Sequence, residues 1–309
     1  MKLFNANSSG KISVPILVLI VLLSVSVLLV IVTQFKGVHL SLEDYFGVQI
    51  KKLELLSRMQ INLFKSVEAE KMAVTADTDE SSKTFADQSL QKSDALERDR
   101  QELGLLIKKD PTEREIDLLK EFDRFWVEFR SIDRELLEFA VKNTNLKAAQ
   151  LSFTKGREAV KKFEAAMEEA IALPSGKEDL QREGLICKAL VAGIKIHDLH
   201  APHIAAVNDE QMDNIEKEIK QNEAVIARAL ARLTPPIPEK ERAALQKAKA
   251  AYDELSKVTA QVLDLSRQNT NIKSFELSLG RKRKITAQCD EILKSLEEAV
   301  RSRSFKATR

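Results

Sequence analysis

The stretch that decides the fold is NTNLKAAQLSF at residues 143–153, because it returns as NTNIKSFELSL at residues 269–279. Six of the eleven positions are identical, and the two copies stand 126 residues apart. Further along, residues 167–171 (MEEAI) return as residues 296–300 (LEEAV). A repeat of this kind predicts one helical module that is used twice.

The segment before each copy carries the same heptad register. Apolar residues alternate at spacings of four and three from Leu118 to Phe139, and the equivalent positions from Ala244 to Leu265 are also apolar. This spacing is typical of the a and d positions of packed helices. We therefore expect each helix to bury one apolar stripe against its neighbours.

Composition favours long helices with charged surfaces. Charged residues make up 31% of the 309 residues and aromatic residues 5%, with 9 glycines and 7 prolines. An extensive sheet would need more aromatic and β-branched residues in alternation. The net charge of +2 gives no field that attracts nucleic acid, so no nucleic-acid partner is expected. The sequence is predicted to be all-α.

The N-terminal region predicts a membrane anchor. Residues 12–35 contain no charged side chain and are rich in Val, Leu and Ile, which is long enough to cross a membrane as a helix. Lys2 and Lys11 precede this run and favour a cytoplasmic N-terminus at 1–11. We predict a single-pass inner-membrane protein whose remaining residues lie outside the cytoplasm. A cleaved signal peptide is the alternative, although the apolar run is long for one.

Turn signals divide the rest of the chain into two sets of four helices. Residues 173–176 (LPSG) form the clearest break between the sets, and short connections make neighbouring helices antiparallel. We predict two tandem up-down-up-down four-helix bundles at 36–173 and 177–305, with a basic tail at 306–309. Two stacked bundles that share long helices are the open alternative.

Two blocks resemble the four-helix-bundle sensor domain of methyl-accepting chemotaxis proteins. Residues 201–213 (APHI followed by DEQMD) are similar to the passage from helix one to helix two of such domains, and residues 139–148 (FAVKNTNLKA) to the passage from helix three to helix four. The resemblance implies a chemoreceptor-like sensory module, here in two copies without the cytoplasmic signalling part. It also implies a homodimer that senses a small molecule or a periplasmic binding protein.

An extracytoplasmic sensory function is therefore the primary expectation. The alternative is a membrane-anchored structural or adaptor protein that uses the bundles as a rigid spacer. The sequence carries no nucleophile elbow, P-loop, dinucleotide fingerprint or H-E-x-x-H motif, so no enzymatic activity is expected.

Three of the four histidines lie close together, at His197, His200 and His203. Spacings of three place neighbouring imidazoles on one helical face, which suits a metal or haem site, although Pro202 disturbs the helix there. The alternative is a helix end that happens to carry imidazoles. The motif for covalent haem attachment is missing, and no other cofactor is expected.

Three further features carry two interpretations each. Cys187 and Cys289 form a disulfide if both lie at the same height of one bundle, and are otherwise buried thiols. The paired Asn-Thr-Asn triplets at 143–145 and 269–271 are either capping residues or part of a ligand site. The basic run at 281–284 is either an anion site or a solvated helix face.

Overall fold

The computed structural model describes residues 47–172, 179–233 and 239–307. Within these ranges the chain is helical apart from short connections. Two π-helical turns, Ser152–Gly156 and Ser278–Lys282, join α4 to α5 and α10 to α11. The helices are α1 (47–75), α2 (Asp79–Lys109), α3 (Glu113–Lys142), α4 (Thr144–Leu151), α5 (Arg157–Ile171), α6 (Asp179–Asp198), α7 (His200–Ala205), α8 (Asp209–Arg232), α9 (Glu239–Gln268), α10 (Thr270–Leu277) and α11 (Arg283–Ala307).

Several helices begin with ordinary capping chemistry. Thr78, Thr112 and Asn208 precede α2, α3 and α8, and each side chain accepts a hydrogen bond from the backbone N–H three residues further on. Such a cap satisfies one of the backbone donors that a helix N-terminus leaves unpaired. These helix starts are thus encoded locally.

The first bundle consists of α1, α2, α3 and the continuous pair α10–α11. All four elements contribute to its main apolar core, in which Phe122 and Phe129 are fully buried. Trp126 stacks between these two rings, with centroids 6.0 and 4.9 Å away. The central aliphatic residues of this core are Leu55, Leu56, Met59, Leu63, Leu96, Leu103, Ile132, Leu293, Leu296 and Val300.

The second bundle consists of α4–α5, α6–α7, α8 and α9. Its core is rich in alanine, and Phe163 is its largest fully buried aromatic side chain. Small residues allow helices to approach closely, and the aromatic ring then fills the remaining space. The core residues include Met167, Ile186, Ala189, Ala192, Ile196, Ile219, Ile226, Ala244 and Ala248.

The chain passes between the bundles twice, from α3 to α4 at Asn143 and from α9 to α10 at Asn269. The tandem arrangement expected at 36–173 and 177–305 is therefore wrong, because α4–α5 packs on α9 and α6 while α11 packs on α3. Either arrangement gives each helix an apolar stripe and three partners, so periodicity cannot distinguish them. The observed fold is the stacked alternative.

The predicted cytoplasmic segment at 1–11 and membrane helix at 12–35 lie outside the described residues. Within the part of the chain that is described, no helix combines the length and the apolar character needed to cross a membrane. The predicted basic tail at 306–309 overlaps the end of α11 at Ala307.

Candidate functional site

The two Asn-Thr-Asn triplets meet where the chain crosses between the bundles. Asn143 and Asn269 adopt left-handed backbone conformations, with φ of 49° and 53°, which end α3 and α9 and redirect the chain. The backbone N–H of Thr144 donates to Oγ1 of Thr270 at 3.1 Å, and the N–H of Thr270 donates to Oγ1 of Thr144 at 3.2 Å. Each threonine therefore caps the helix of the other repeat.

The asparagines repeat this exchange around the threonine pair. The N–H of Asn145 donates to Oδ1 of Asn271 at 3.1 Å, and the N–H of Asn271 donates to Oδ1 of Asn145 at 3.2 Å. Their side-chain amides donate to Oδ1 of Asn269 and Asn143 at 2.7 and 3.0 Å. The capping interpretation of the triplets holds, but the caps act between the repeats, which ties the two crossings together.

A buried ion pair lies in the first bundle near this junction. Lys282, at the end of the second π turn, contacts Asp133 of α3 through its Nζ atom, and both side chains are almost fully buried. The ammonium also lies 3.3 Å from the ring centroid of Phe129, within range of a cation–π interaction. Ser93 of α2 donates to the other oxygen of Asp133 at 3.4 Å. The pair thus links three helices of the bundle.

Glu70 of α1 also lies beside this ion pair, but unlike Asp133 it has no close hydrogen-bond donor. Its side chain is fully buried, and neither carboxylate oxygen accepts a hydrogen bond of normal length. Burial raises the pKa of Glu70, while the nearby Ser278 hydroxyl and Lys282 ammonium oppose that rise. We call Glu70, Asp133, Lys282 and Ser278 the lysine layer.

The predicted histidine cluster forms a comparable layer in the second bundle. Nδ1 of His200 lies 3.0 Å from Oγ of Ser152, and its Nε2 lies 3.0 Å from Oγ1 of Thr259. His197 approaches the Ser152 carbonyl through Nε2 at 3.2 Å. Burial, followed by the neighbouring histidines, lowers the pKa of His200 to about 4. We call His197, His200, Ser152 and Thr259 the histidine layer.

His203 has partners of its own. Its Nδ1 lies 2.8 Å from Oγ of Ser266, and its Nε2 lies 3.3 Å from a carboxylate oxygen of Glu216. His203 therefore has separate partners, whereas His197 and His200 both contact Ser152, through its carbonyl and its hydroxyl oxygen respectively. Among the described residues, no three His, Cys, Asp or Glu side chains are grouped to hold a metal ion. His197, His200 and His203, interpreted as a metal or haem site or as a polar helix end, take part in a buried hydrogen-bond network.

The two layers occupy equivalent positions of the repeat. Ser152 and Ser278 open the two π turns, Gly156 and Lys282 close them, and Thr259 and Asp133 face them from α9 and α3. Glu70 and His200 each stand eight residues before an N-cap, Thr78 and Asn208 respectively. The sequence expectation missed this correspondence because Lys282 had been placed in a surface basic run. The run itself is split, since Arg281 is exposed while Lys282 is buried.

The disulfide interpretation of Cys187 and Cys289 is wrong, and the alternative of buried thiols holds for Cys289 alone. Cys289 of α11 is buried in the first bundle, and Cys187 of α6 is exposed on the second. The expectation placed α6 and α11 side by side, whereas the double crossing puts them in different bundles. Burial raises the pKa of Cys289 to about 12.

An open groove lies between α2 and α3 on the outside of the first bundle. It encloses about 540 Å³ and is lined in part by Trp126, Arg100, Arg130 and Arg134. Nε1 of Trp126 donates to Glu97 at 2.7 Å, and the Arg100 guanidinium lowers the pKa of Glu97 to about 2. Glu97 and Asp123 also line the groove and pair with Arg100, so its surface carries both guanidinium and carboxylate groups. Such a surface suits a small polar ligand.

Comparison with solved structures finds similar chains. The sensor domain of the V. parahaemolyticus histidine kinase sensor TorS is 13% identical, with a TM-score of 0.58 over 81% of this chain and 99% of that one. The TorS sensor domain in complex with TorT in the presence of TMAO is 14% identical, with a TM-score of 0.41 over 82% and 99%. At these identities the likeness concerns the fold alone. No curated protein matches the chain.

The family assignment rests on the sequence of the N-terminal half. Residues 5–175 match the model of the four helix bundle sensory module for signal transduction. The matched segment runs through α5, so it crosses from the first bundle into the second. It includes the first Asn-Thr-Asn triplet, which the resemblance to chemoreceptor sensor domains had singled out. The chain belongs to the family of four helix bundle sensory modules for signal transduction.

Proposed function

We propose that this protein senses a small molecule or a partner protein outside the cytoplasm, with the helix at 12–35 as its inner-membrane anchor. Family membership supports the sensory role, and the uncharged apolar run supports the anchor. We further propose that it binds its ligand without catalysing a reaction and acts as a homodimer.

The observation that carries the proposal is a polar cluster at the end of the first bundle remote from the junction. Asp110, in the turn between α2 and α3, accepts hydrogen bonds from Gln49 of α1 at 2.8 Å and from Arg303 of α11 at 2.5 Å. Lys52 of α1 donates to the Asp110 carbonyl at 3.0 Å and to Glu115 at 2.7 Å. The helix that follows the predicted anchor and the last described helix are thus fixed to one turn.

This arrangement provides a route for a signal. A ligand that prefers one packing of the bundle over another shifts the population of the two packings. Since α1 and α11 both contact the Asp110 turn, a relative displacement of these helices would change their contacts at the end of the bundle nearest the predicted membrane segment. Rigid packing of the same helices would instead make the protein a spacer.

The location is tested by protease accessibility of the full chain in spheroplasts. Digestion of the bundles in intact spheroplasts is expected, since the positive-inside rule places them outside the cytoplasm. Protection until the membrane is lysed would show that the topology is wrong. A variant with Lys2 and Lys11 both changed to Glu serves as a control for the charge rule.

Ligand binding is tested by thermal unfolding of the full chain with a panel of amino acids and small carboxylic acids. A ligand that binds only the folded state raises the unfolding temperature. If the groove between α2 and α3 holds it, Arg134→Glu removes the shift, whereas Arg228→Glu on the exposed face of α8 preserves it. A chain whose unfolding temperature responds to neither the panel nor a periplasmic protein fraction would favour the spacer.

A further inference from the structure

The lysine layer contains one buried cation and two buried carboxylates on different helices. Lys282 bonds Asp133 of α3, while Glu70 of α1 is fully buried and neither of its oxygens accepts a hydrogen bond of normal length, although the Ser278 hydroxyl lies nearby. Glu70 and Lys282 are near enough that each affects the pKa of the other. A buried carboxyl group that is poorly hydrogen-bonded costs stability, and pairing with Lys282 is an arrangement that would offset this cost.

The groups around the layer allow two alternative pairings of Lys282. Besides Lys282, the charge of Asp133 raises the pKa of Glu70, and Lys71 of the same helix lowers it. The helix α2 contributes hydroxyl groups, with Oγ of Ser66 in α1 lying 3.1 and 2.9 Å from those of Ser89 and Ser93. Hydroxyl groups can donate or accept, so they can accommodate either pairing without being left unsatisfied.

The π turn supplies the freedom of movement. A π turn holds one residue more than an α-helical turn, and displacing that extra residue rotates the side chains it passes by about 100°. Lys282 is the last residue of the turn Ser278–Lys282, so its direction depends on where the turn sits. A rotation of this kind would carry the ammonium from α3 towards α1.

We propose that Lys282 is a two-position switch, which pairs with Asp133 in the observed state and with Glu70 in a second state reached by rearrangement of the π turn. In the observed state the ammonium pairs with Asp133, and burial favours the protonated form of Glu70. In the second state the ammonium pairs with Glu70, and the acid that it leaves retains the proton, so the layer keeps its charge and its protons. That the second state carries a signal rests on the sensory function proposed above, whereas the exchange itself does not.

The second bundle provides an internal control. Its equivalent turn, Ser152–Gly156, ends in glycine, and the position of Asp133 is taken by Thr259. With neither the cation nor the acid, the histidine layer cannot make this exchange. The two π turns should therefore behave differently in the same molecule.

The test uses a disulfide that forms between α1 and α11 in the observed state. Nε2 of Gln60 donates to Oδ1 of Asp290 at 2.7 Å, so Gln60→Cys and Asp290→Cys place one thiol on each of two helices where their side chains meet. Cys187→Ser and Cys289→Ala remove the native thiols. The rate of cross-linking by copper phenanthroline, in the full chain without ligand, reports how much of the observed state is present.

The two acids are expected to act in opposite directions. Glu70→Gln removes the second pairing and keeps or increases the rate, whereas Asp133→Asn leaves only the second pairing and lowers it about fivefold or more. In a Lys282→Met background this contrast disappears. Thr259→Val, the matched change in the second bundle, leaves the rate unchanged. Equal rates in Glu70→Gln and Asp133→Asn, or a contrast that survives Lys282→Met, overturns the switch.

Hydrogen exchange provides a measurement on the unaltered chain, which is decisive if Asp133→Asn does not fold. Amides at residues 278–286 are expected to exchange at least about tenfold faster than those at residues 152–160, because only the π turn Ser278–Lys282 rearranges. Equal protection of the two turns overturns the switch. If the two π turns differ in this way but no ligand changes the amide exchange rates, the switch is retained and the sensory role is contradicted.

Discussion

The lysine layer and the histidine layer show two chemical solutions at one set of backbone positions. Both follow an Asn-Thr-Asn crossing, and both are built around a π turn that opens with serine. One closes its turn with Lys282 and neutralises it with Asp133, while the other closes with Gly156 and fills the space with imidazole rings. The backbone geometry is thus shared by the repeats, and the side chains that satisfy it are not.

The apolar cores differ in the same manner. Counted from the N-caps, Leu63 of the first bundle corresponds to Gly193 of the second, and the repeat offset pairs Cys289 with Phe163. A Cβ atom on Gly193 would lie 2.7 Å from the Phe163 ring. The first bundle therefore packs the large Leu63 with the small Cys289. The second bundle packs Gly193 with the large Phe163. Close packing fixes the total volume at such a pair and leaves its division free.

The most destructive change should be the transfer of the lysine to the second bundle. Gly156→Lys would press against His197, which already lies 3.2 Å from a Cβ built there, and would bury a cation opposite Thr259 instead of an acid. We expect a loss of about 4 kcal/mol or more in the free energy of unfolding, measured in urea.

Gly280→Lys is the matched control for that transfer, because a Cβ at Gly280 meets nothing within 4 Å. It should leave the free energy of unfolding within about 0.5 kcal/mol. Adding Thr259→Asp to Gly156→Lys should recover part of the loss. Similar losses in the two lysine variants would show that the layers do not correspond.

Breaking the ion pair should come next in magnitude. Asp133→Asn removes the ion pair of the observed state, and we expect a loss of up to about 3–5 kcal/mol, reduced by whatever Lys282 regains on pairing with Glu70. Thr259→Val at the equivalent position removes one hydrogen bond to His200, for a loss of about 1–3 kcal/mol. Urea denaturation of the two variants gives the difference directly. A Thr259→Val variant as unstable as Asp133→Asn would contradict the distinction between charged and neutral layers.

The two layers should respond to pH in opposite directions. The folded pKa of His200 is lowered to about 4 from an ordinary 6.5, so the unfolded chain binds more protons between these values. Stability from this group is present above pH 6.5 and is lost as the pH falls towards 4, by up to about 3 kcal/mol. His200→Gln should flatten the decline in the free energy of unfolding between pH 7 and pH 5.

For Glu70 the sign is reversed. Its folded pKa is raised, so the folded state binds the extra proton, and stability is lost as the pH rises above the ordinary value near 4.5. The advantage of the parent chain over Glu70→Gln should therefore shrink as the pH rises. An advantage that grew with pH would mean that Glu70 is ionised and paired in the folded state.

The volume exchange in the cores should give a smaller effect. Gly193→Ala must displace the Phe163 ring, and we expect a loss of about 1–3 kcal/mol. Gly184→Ala, also in α6 but with nothing within 4 Å of its Cβ, should instead gain up to about 1 kcal/mol from helix propensity. Thermal or urea unfolding separates the two. Matching gains in both would show that the Phe163 ring is not held against α6.

The smallest effect should come from the crossing, where the bundles are alike. Thr144→Val and Thr270→Val each remove a cap from the other repeat, at about 1 kcal/mol apiece. Because the two hydroxyl groups lie 3.1 Å apart, a double-mutant cycle should give a coupling energy of about 0.5 kcal/mol or more. Thr75→Val, whose hydroxyl donates only to a carbonyl of its own helix, is the control. Additive losses would mean that the repeats cap themselves.

The sequence by itself determined the local features of this protein. Helical periodicity and composition predicted an all-helical chain. The Asn-Thr-Asn triplets, interpreted as capping residues or a ligand site, do cap helices, and they lie where α3 and α9 end. The resemblance to chemoreceptor sensor domains agreed with the family match. Each of these features depends on neighbours within a few residues along the chain, where sequence patterns are informative.

Tertiary structure alone decided which helices share a bundle and which polar groups meet. An apolar stripe does not specify which helix it packs against, so periodicity places α4–α5 and α10–α11 in the wrong bundles. The same error allows a disulfide between Cys187 and Cys289 that the fold excludes. The histidines were noticed, but Ser152 and Thr259 approach them from distant parts of the chain. The burial of Lys282 has a more local cause. The extra residue of a π turn shifts the helical phase by about 100°, so a lysine that an α-helix would expose points into the core.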